Sequence, residues 1–445
     1  MKKYTFKGGV HPNHCKEQTE HLRIEEFPAP AVAVVPLTQH MGKVTKPLVD
    51  KGDRVLVGQL IGETVKHVSA SVHSPVSGTV LSVKPFPHPS GRLVNAVEIE
   101  NDGADEIMEY APIGNRWTET APGELVQEVA AAGIVGMGGA GFPTHVKLSP
   151  SALKSIDTLI INGSECEPYL TDDHRIMIER TDGILTGALI MRKILGAKNT
   201  FIAIEDNKPE AIKAVAGRVA SSQFSGITLV VLKSKYPQGG ERSLITAVTK
   251  RKVPSGGLPM DAGCVVQNVG TALAVCEAIM EARPLYRRVV SVMGVGVRSP
   301  KNFLTRVGTP VRALLEACGA NLSIAKKVIL GGPMMGAALS DINVPVIKTS
   351  SAILVLDQIT ESVKKYPCIN CGLCVRVCPM RLIPSRLAKF VEKGNLDDAA
   401  KWNIFNCMEC GSCTYACPAK VNLVQFFKLG KMKIRATQAK QKWVV

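Results

Sequence analysis

Apolar and polar residues follow different patterns in successive parts of the chain. From about residue 26 to 105, short apolar segments such as 31–36 lie between turns rich in glycine and proline, which predicts β-strands. From about 120 to 285, apolar runs alternate with segments of helical period, which predicts an α/β domain with a mainly parallel sheet. Its predicted strands are 159–161, 200–204 and 227–232, and its predicted helices are 183–195, 208–219 and 272–282.

Two further blocks follow towards the C-terminus. Between about 286 and 357, a strand at 288–292, a helix at 309–317 and a returning strand at 328–330 suggest a β-grasp-like module. Thr309 is the predicted N-cap of that helix, and Pro310 is its predicted first residue. Between about 360 and 430, helices at 385–393 and from 396 predict a mainly helical domain.

Two motifs in the first block have the spacing of a known β-module. V-x-x-G-D-x-V-x-x-G covers 49–58, and S-P-x-S-G-x-V covers 74–80. The pair resembles the barrel-sandwich module of biotinyl and lipoyl carriers, which display a lysine between the two motifs. Lys66 lacks the methionines that flank that lysine. We therefore expect Lys66 to be an ordinary surface lysine and the module to be a packing or docking platform.

Length and composition indicate a folded protein without membrane spans. The chain has 445 residues, enough for three or four domains, and is 45% hydrophobic and 21% charged. No apolar run reaches the roughly 18 residues of a spanning helix, and the N-terminus lacks the apolar stretch of a signal peptide. The sequence therefore predicts a protein that stays in the cytoplasm.

The charge is strongly basic, with a formal net charge of +16. Only 5% of the residues are aromatic and no nucleic-acid-binding motif is present, so no nucleic-acid partner is expected. The segment 428–445 has six basic residues and no acidic ones. Docking to a membrane surface or membrane partner and a solvated basic tail are both consistent with it.

Eight of the thirteen cysteines form two copies of one spacing, C-x2-C-x2-C-x3-C followed by proline. In bacterial ferredoxins this spacing binds two [4Fe–4S] clusters, and the fourth cysteine of each run ligates the other cluster. The predicted ligands of one cluster are Cys368, Cys371, Cys374 and Cys417, and those of the second are Cys407, Cys410, Cys413 and Cys378. Zinc is the alternative, but zinc sites usually combine two separate C-x-x-C hairpins. The spacing therefore predicts one-electron transfer.

A glycine-rich loop at 136–144, followed by Lys147, is the second chemical signal. Backbone N–H groups of such a loop can approach a phosphate, and a nearby lysine adds positive charge. The loop alone would equally fit a flexible lid. However, the polar segment 162–168 directly follows the predicted strand 159–161, where ligands bind in open α/β sheets. The segments 236–241 and 267–271 complete the set.

In this order the motifs resemble those of the FMN- and NADH-binding subunit of respiratory complex I and of NAD-linked hydrogenases. The motifs are G-x-G-G-A-G-F-P-T-x-x-K, N-x-x-E-x-E-P, Y-x-x-G-x-E and N-V-x-T. Together with the barrel-sandwich and two-cluster segments, nearly the whole chain resembles the C subunits of Rnf ion-translocating electron-transport complexes.

The resemblance implies a role for each motif. The residues implied to cradle the FMN phosphate are Gly136, Gly138, Gly139, Gly141 and Lys147, and those completing the flavin pocket are Asn162, Tyr236, Asn268 and Thr271. The implied catalytic acids beside the isoalloxazine ring and nicotinamide are Glu165, Glu167 and Glu241. The alternative role of these acids is loop capping or solvation. This chain departs from the complex I family at Gly240, where that family has a glutamate, and at Ser164, where it has an aspartate.

The predicted fold class is a multidomain α+β and α/β protein. The predicted domains are a barrel-sandwich-like N-terminal domain (1–115), an α/β FMN- and NADH-binding domain (116–285), a β-grasp-like (SLBB-type) module (286–357), a helical domain with two [4Fe–4S] clusters in a ferredoxin-like arrangement (358–430) and a basic tail (431–445).

The resemblance implies an electron-transfer subunit of a ferredoxin:NAD oxidoreductase coupled to Na⁺ or H⁺ translocation. It would exchange hydride between NAD(H) and FMN and pass single electrons through two clusters to the other membrane subunits. We expect it on the cytoplasmic face of the cell membrane, as a peripheral protein. The alternatives are a diaphorase subunit of a soluble NAD-linked hydrogenase or formate dehydrogenase, and a non-catalytic iron–sulfur electron-wire scaffold.

Overall fold

A computed structural model describes residues 3–151, 154–357 and 366–442, with side chains up to 438. The predicted domain boundary at 357/358 and the last residues of the predicted basic tail, 443–445, therefore lie outside or at the edge of the described residues. Within the described residues, no helix is long and apolar enough to cross a membrane.

The first block is built from strands, as its short apolar segments between turns predict. The strands are β1 (Ile24–Glu26), β2 (Val32–Pro36), β3 (Lys46–Pro47), β4 (Arg54–Val55), β5 (Leu60–Glu63), β6 (Val72–His73), β7 (Gly78–Pro87) and β8 (Leu93–Asn101). One sheet has the order β2-β8-β7-β4 and a second has the order β3-β5-β6. Val35, Ile61 and Ile99 belong to the shared apolar core between them. Strand β1 joins another sheet.

The second block is an α/β domain around a parallel sheet. Its elements are α1 (Pro122–Ala131), α2 (Thr144–Leu148), β9 (Thr158–Gly163), α3 (Asp172–Glu179), α4 (Thr181–Leu195), β10 (Asn199–Glu205), α5 (Pro209–Val219), β11 (Ile227–Leu232), α6 (Glu241–Thr249), β12 (Cys264–Asn268) and α7 (Val269–Glu281). The strand order is β11-β10-β9-β12, and all neighbours are parallel. The chain therefore builds the sheet outwards from β9 in one direction and then returns to the other side of β9.

A mixed sheet follows. Its elements are β13 (Arg287–Gly294), β14 (Lys301–Arg306), α8 (Val311–Ala317), β15 (Lys327–Leu330), β16 (Ala337–Ala338) and β17 (Ala352–Leu356). The strand order is β1-β14-β13-β17-β15-β16, in which β13 is antiparallel to β14 and parallel to β17.

The predicted N-cap of helix α8 is wrong by one residue. The N-cap is Pro310, and it makes no side-chain capping bond. The Thr309 hydroxyl instead donates to the Arg306 carbonyl oxygen at 2.8 Å. The hydroxyl therefore closes the turn after β14 rather than the first turn of the helix.

The last block is helical. Its helices are α9 (Leu373–Val377), α10 (Pro384–Glu392), α11 (Leu396–Lys401), α12 (Ser412–Tyr415) and α13 (Leu423–Lys442), and short 3-10 helices elsewhere cover Gly114–Thr118, Ser222–Phe224, Pro259–Ala262 and Ile404–Asn406. Helix α13 crosses the predicted boundary at 430/431, because Phe427 and Ile434 are both buried in the core of this block. Most of the predicted basic tail is therefore part of a packed helix.

The residues before β2 leave the N-terminal sheets and cross the rest of the molecule. Tyr4 forms a parallel bridge with Leu232, and Val10 forms an antiparallel bridge with Tyr236. Strand β1 then pairs in parallel with β14. We call residues 4–26 the N-terminal strap, because they connect the α/β domain to the mixed sheet.

Candidate functional site

The carboxyl edge of the parallel sheet brings the predicted flavin motifs together. Asn162 is the penultimate residue of β9 and Asn268 is the last residue of β12, and the two are register partners on neighbouring strands. The direction of sheet building reverses between these two strands. In open α/β sheets, ligands bind outside the carboxyl ends of the strands at such a reversal.

The glycine-rich loop lies against the start of α7. Its ends are closed by hydrogen bonds from Gly136 N to Phe142 O at 2.8 Å and from Gly141 N to Gly136 O at 3.2 Å. Met137 N donates to the Thr271 hydroxyl at 3.0 Å. A Cβ atom added at Gly138 would lie 3.3 Å from Asn268 Cβ. A side chain at position 138 would therefore press the loop away from β12.

Both asparagines hold loops in place. Asn268 Oδ1 caps α7 by accepting from Gly270 N at 2.8 Å and Thr271 N at 3.4 Å. Its Nδ2 donates to Asp173 Oδ2 at 2.6 Å. Asn162 Nδ2 donates to Gly239 O at 2.9 Å. The side chains at the strand ends therefore connect the loops that surround the edge of the sheet.

Lys147 and Glu241, which the resemblance places in different roles, form an ion pair. Lys147 Nζ lies 2.7 Å from Glu241 Oε1 and 3.1 Å from Val266 O. About a quarter of the lysine side chain and a third of the glutamate side chain are exposed. The two side chains therefore form one partly open polar group beside β12.

Glu165 is held by two buried lysines. Its Oε2 lies 3.4 Å from Lys16 Nζ and 4.0 Å from Lys208 Nζ. Its Oε1 accepts from His174 N at 3.1 Å. Only 2% of the side chain is exposed. The carboxylate is therefore engaged inside the protein.

Glu167 lies under the turn 331–336. Its Oε2 accepts from Met334 N at 3.0 Å, and its Oε1 lies 3.4 Å from the Tyr236 hydroxyl. A Cβ atom at Gly332 would lie 2.3 Å from Glu167 Oε2. Burial raises the pKa of Glu167 to about 7. The turn therefore covers a carboxyl group that titrates near neutral pH.

Tyr236 links the α/β domain to the cysteine-rich domain. Its side chain is 1% exposed, and its hydroxyl donates to the Cys410 carbonyl oxygen at 2.6 Å. Burial raises the pKa of Tyr236, so the hydroxyl remains a donor. Nearby, a Cβ atom at Gly240 would lie 2.3 Å from Met408 Cε. The cysteine-rich domain therefore lies directly beside Gly240, the position at which this chain departs from the complex I motif.

The eight cysteines line two cavities in an interleaved way. One cavity, of about 830 Å³, has among its lining residues Cys368, Cys371, Cys374 and Cys417. A much smaller one, of about 20 Å³, has among its lining residues Cys378, Cys407, Cys410 and Cys413. Each set contains three cysteines of one run and the fourth of the other. Four thiols around one space are suitable ligands for a [4Fe–4S] cluster.

The two cysteine runs repeat one backbone shape. Asn370 and Glu409 have φ of 57° and 58°, and Gly372 and Gly411 have φ of 74° and 80°. These left-handed residues lie at equivalent positions of the two runs. In the first set Cys368 and Cys371 are exposed and Cys374 is buried, whereas Cys378, Cys410 and Cys413 of the second set are all buried. The first set therefore reaches the surface, and the second set contacts Tyr236 of the α/β domain through Cys410.

Several buried polar atoms near the sheet edge have no hydrogen-bond partner among the described residues. They include Ser164 Oγ, Gln267 Nε2 and Thr144 Oγ1. Ser164 follows β9, Gln267 belongs to the end of β12, and Thr144 is the last residue of the glycine-rich loop and the first of α2. Buried polar groups are normally paired. Their unpaired polar atoms therefore fit a polar ligand with the chemistry of FMN at this edge.

The buried charges around this edge were not predicted from the sequence. Lys208 Nζ donates to Ser164 O at 2.8 Å and lies 3.8 Å from Glu205 Oε2. Burial raises the pKa of Glu205 and of Asp173 to about 7. The position of Glu205 at the end of β10 could have revealed it, because the neighbouring strand ends in the motif that begins at Asn162. No local signal marks Lys16.

Three family models match consecutive parts of the chain. They are described as an RnfC barrel sandwich hybrid domain (residues 4–104), a Nuo51 FMN-binding domain (residues 129–277) and a 4Fe-4S dicluster domain (residues 367–421). The first two regions contain the strands β2 to β8 and the parallel sheet, and the third contains both cysteine runs.

Relatives match over nearly the full length. The chain is 44% identical to the C subunit of the proton-translocating ferredoxin:NAD(+) oxidoreductase complex of Clostridium ljungdahlii, over 98% of this chain and 96% of that protein. It is 42% identical to the Na(+)-translocating counterpart of Acetobacterium woodii, over 99% of both chains. A solved NAD+-reducing [NiFe]-hydrogenase is 18% identical with a TM-score of 0.49, covering 66% of this chain and 59% of that one. That likeness is too distant to bear on function.

Proposed function

The chain belongs to the family of C subunits of ion-translocating, Rnf-type oxidoreductase complexes, and we propose that it connects NAD(H) to the one-electron carriers of such a complex. The observation that supports this most directly is the Tyr236–Cys410 hydrogen bond. It joins the FMN-binding domain to Cys410, which belongs to the buried cysteine set. The two redox domains are therefore in direct contact within one chain.

The residues at the carboxyl edge of the parallel sheet would hold FMN. Gly136, Gly138, Gly139 and Gly141 form the loop that approaches β12, and Asn162, Asn268, Thr271 and Tyr236 surround the edge. When bound, FMN supplies the conversion between the two-electron chemistry of NAD(H) and one-electron transfer. The partly exposed Lys147–Glu241 pair would offer charged groups for hydrogen bonds to a phosphate or a nicotinamide.

We assign the acidic residues to distinct tasks. Glu165 orients its loop through contacts with Lys16, Lys208 and His174 N. Glu167 lies between Tyr236 and the turn 331–336, and it connects this turn to the tyrosine that contacts the cysteine-rich domain. Glu241 keeps Lys147 in place. The resemblance implies a catalytic role for all three residues. Our assignment departs from it most for Glu165, because its carboxylate is buried inside the protein.

The cysteines would bind two [4Fe–4S] clusters with interleaved ligands. Cys378, Cys407, Cys410 and Cys413 would hold the cluster next to the flavin domain. Cys368, Cys371, Cys374 and Cys417 would hold the exposed one. An exposed second cluster is suited to electron exchange with another subunit.

We place the chain at the cytoplasmic face of the membrane as a peripheral subunit. Thiolate-bound clusters favour a reducing compartment, and the net charge of +16 favours an acidic partner or membrane surface. The two relatives are named for different ions at 44% and 42% identity. This is consistent with ion translocation by other subunits.

The mixed sheet is consistent with a β-grasp-like module, since β13 is antiparallel to β14 and parallel to β17.

A soluble hydrogenase diaphorase is the less well supported alternative. Such a subunit would be expected to have paired glutamates after Tyr236, and here Met408 fills the space beside Gly240. It would not be expected to have the barrel-sandwich N-terminus. In this chain, residues 4–104 match the family model of the RnfC barrel sandwich hybrid domain.

The proposal is tested on the full chain, purified without oxygen and reconstituted with iron and sulfide. We expect about one FMN, about eight irons per chain in two clusters, and NADH-dependent ferricyanide reduction. Gly138→Val should reduce FMN content because its side chain would meet Asn268. Gly217→Val, a change in α5 with open space around it, is the matched control. Wild-type protein without FMN and without NADH oxidation would rule the proposal out.

A further inference from the structure

The N-terminal strap crosses three parts of the molecule within a short stretch. Val10 N donates to Tyr236 O at 2.8 Å, and Gly9 N donates to Val377 O at 2.7 Å, directly before Cys378. Gln18 Oε1 accepts from Gly294 N in the mixed sheet at 2.9 Å. The strap therefore contacts the flavin domain, the cysteine-rich domain and the mixed sheet.

Lys16 is the buried point of the strap. Its side chain is only 4% exposed. Nζ lies 3.1 Å from Glu165 O, 3.1 Å from Glu167 O and 3.4 Å from Glu165 Oε2, and it also contacts Leu170 O. All of these acceptors belong to the loop 165–170. An ammonium group with three donors is thus surrounded by a single loop.

The loop 165–170 needs such a partner. Glu165 and Tyr169 have φ of 46° and 72°, in the left-handed region that non-glycine residues rarely adopt. The Glu165 carboxylate is buried, and a buried charge requires a counter-ion. The strap adds a backbone bond from Tyr169 N to His14 O at 2.8 Å. Strained backbone and buried charge are therefore both stabilised from the strap.

We infer that Lys16 is a positioning residue for the oxidoreductase reaction, which fixes the loop carrying Glu165 and Glu167 at the flavin edge. The inference rests on the proposed function and extends it to a residue outside the flavin-binding domain. All of the Lys16 Nζ contacts are to this loop, so Lys16 acts through the loop and not as a catalytic residue. Because the same strap binds Tyr236 and the residue before Cys378, loop position and the contact between the two redox domains depend on one segment.

The test compares three variants of the full reconstituted chain in NADH-dependent ferricyanide reduction. Lys16→Met should lower kcat by about 100-fold with little change in FMN content, because a displacement of about 1 Å at a reacting centre has an effect of this size. Lys7→Met makes the same chemical change at an exposed lysine of the strap and should retain wild-type kcat. Gln18→Ala removes a strap contact that does not involve the loop, and its kcat should also stay near that of wild type.

The outcomes separate the inference from the proposed function. Wild-type protein that binds no FMN or does not oxidise NADH contradicts the proposed function. If wild-type protein is active and Lys16→Met retains more than half of the wild-type kcat, the inference is overturned and the proposed function is not. Equal losses of kcat in Lys16→Met and Gln18→Ala would show a merely structural strap and would also overturn it. If Lys16→Met does not fold, Lys16→Gln replaces it, and failure of both to fold with full iron content overturns the inference.

Discussion

Buried charged side chains are concentrated at the carboxyl edge of the parallel sheet. Lys208 is fully buried between Glu165 and Glu205, at 4.0 Å and 3.8 Å. Burial lowers the pKa of Lys208 and raises the pKa of Glu205 to about 7. Burying charge in this way costs stability unless every charge is paired. A cost of this kind is typical of functional sites rather than of a core.

Glu205→Gln tests this arrangement through pH dependence. Because the folded-state pKa of Glu205 is raised to about 7 from its ordinary value of 4.5, folded protein binds more protons than unfolded protein between these values. Wild-type stability should therefore fall as pH rises from about 4.5 to about 7 through this group. The variant lacks that titration, so its Tm relative to wild type should increase over this range.

The measurement is thermal unfolding of both proteins at several pH values between 5 and 8. Glu109→Gln, at an exposed position, provides the control. A Tm difference between Glu205→Gln and wild type that is constant over pH, or that decreases as pH rises, would contradict the assignment.

At the scale of elements, most strands and helices were predictable from local pattern. The predicted strand 227–232 coincides with β11, and the predicted helix 183–195 differs from α4 only at its start. Parallel strands buried on both faces appear as apolar runs, which is why they are found easily. Helix α7 begins earlier than predicted because Asn268 caps it. The packing of α13 against the cysteine-rich domain was not predictable. The many basic residues of its sequence indicate a solvated tail and do not show that Ile434 is buried.

Helix α13 should stabilise the cysteine-rich domain despite its charge. Ile434 is 6% exposed, whereas Met432 on the same helix is 61% exposed. We expect Ile434→Asp to lower the unfolding free energy of the domain by about 3 kcal/mol, because it buries an unpaired charge. Met432→Asp should change it by less than about 0.5 kcal/mol.

The stability of the cysteine-rich domain in both variants is measured by following the loss of the cluster absorbance on heating. Equal effects of the two substitutions would mean that α13 does not pack as described. Lys431, on the same helix, donates to Glu409 Oε1 at 2.8 Å and also contacts Cys407 O, so this helix touches the buried cysteine set directly.

At the scale of the whole molecule, the flavin and cysteine-rich domains form a continuous interface. Tyr236 binds Cys410 O, Met408 fills the space beside Gly240, and Gly256 N donates to Asn406 Oδ1 at 3.1 Å. The strap adds the Gly9–Val377 bond. The buried cysteine set therefore lies at the interface, and the exposed set lies at the outer side of its domain.

Tyr236→Phe should change one cluster and not the other. The hydroxyl proton points towards Cys410 O, and its dipole favours the additional negative charge of a reduced cluster. Its removal should lower the midpoint potential of the cluster expected at Cys378, Cys407, Cys410 and Cys413, which we call the inner cluster, by on the order of tens of millivolts, because charge and hydrogen bonding close to a cluster tune its potential. The exposed cluster should keep its potential.

Potentiometric EPR resolves the two clusters. Tyr110→Phe removes another tyrosine hydroxyl that donates to a backbone carbonyl, Gly58 O at 3.3 Å, in the N-terminal part of the chain, and serves as the control. Shifts of both clusters, or of neither, would contradict the assignment of Cys410 to the inner cluster.

The order of residues along the chain was enough to identify the chemistry of this protein. The cysteine spacing, the glycine-rich loop and the motif order depend on residues close together in the chain, and local spacing is sufficient to indicate ligand type. Which groups act together became apparent only from the packing of the domains. Lys16 reaches Glu165 across 149 residues of sequence, and Tyr236 reaches Cys410 across 174. Such contacts result from whole domains packing against one another, and no local pattern of residues encodes them.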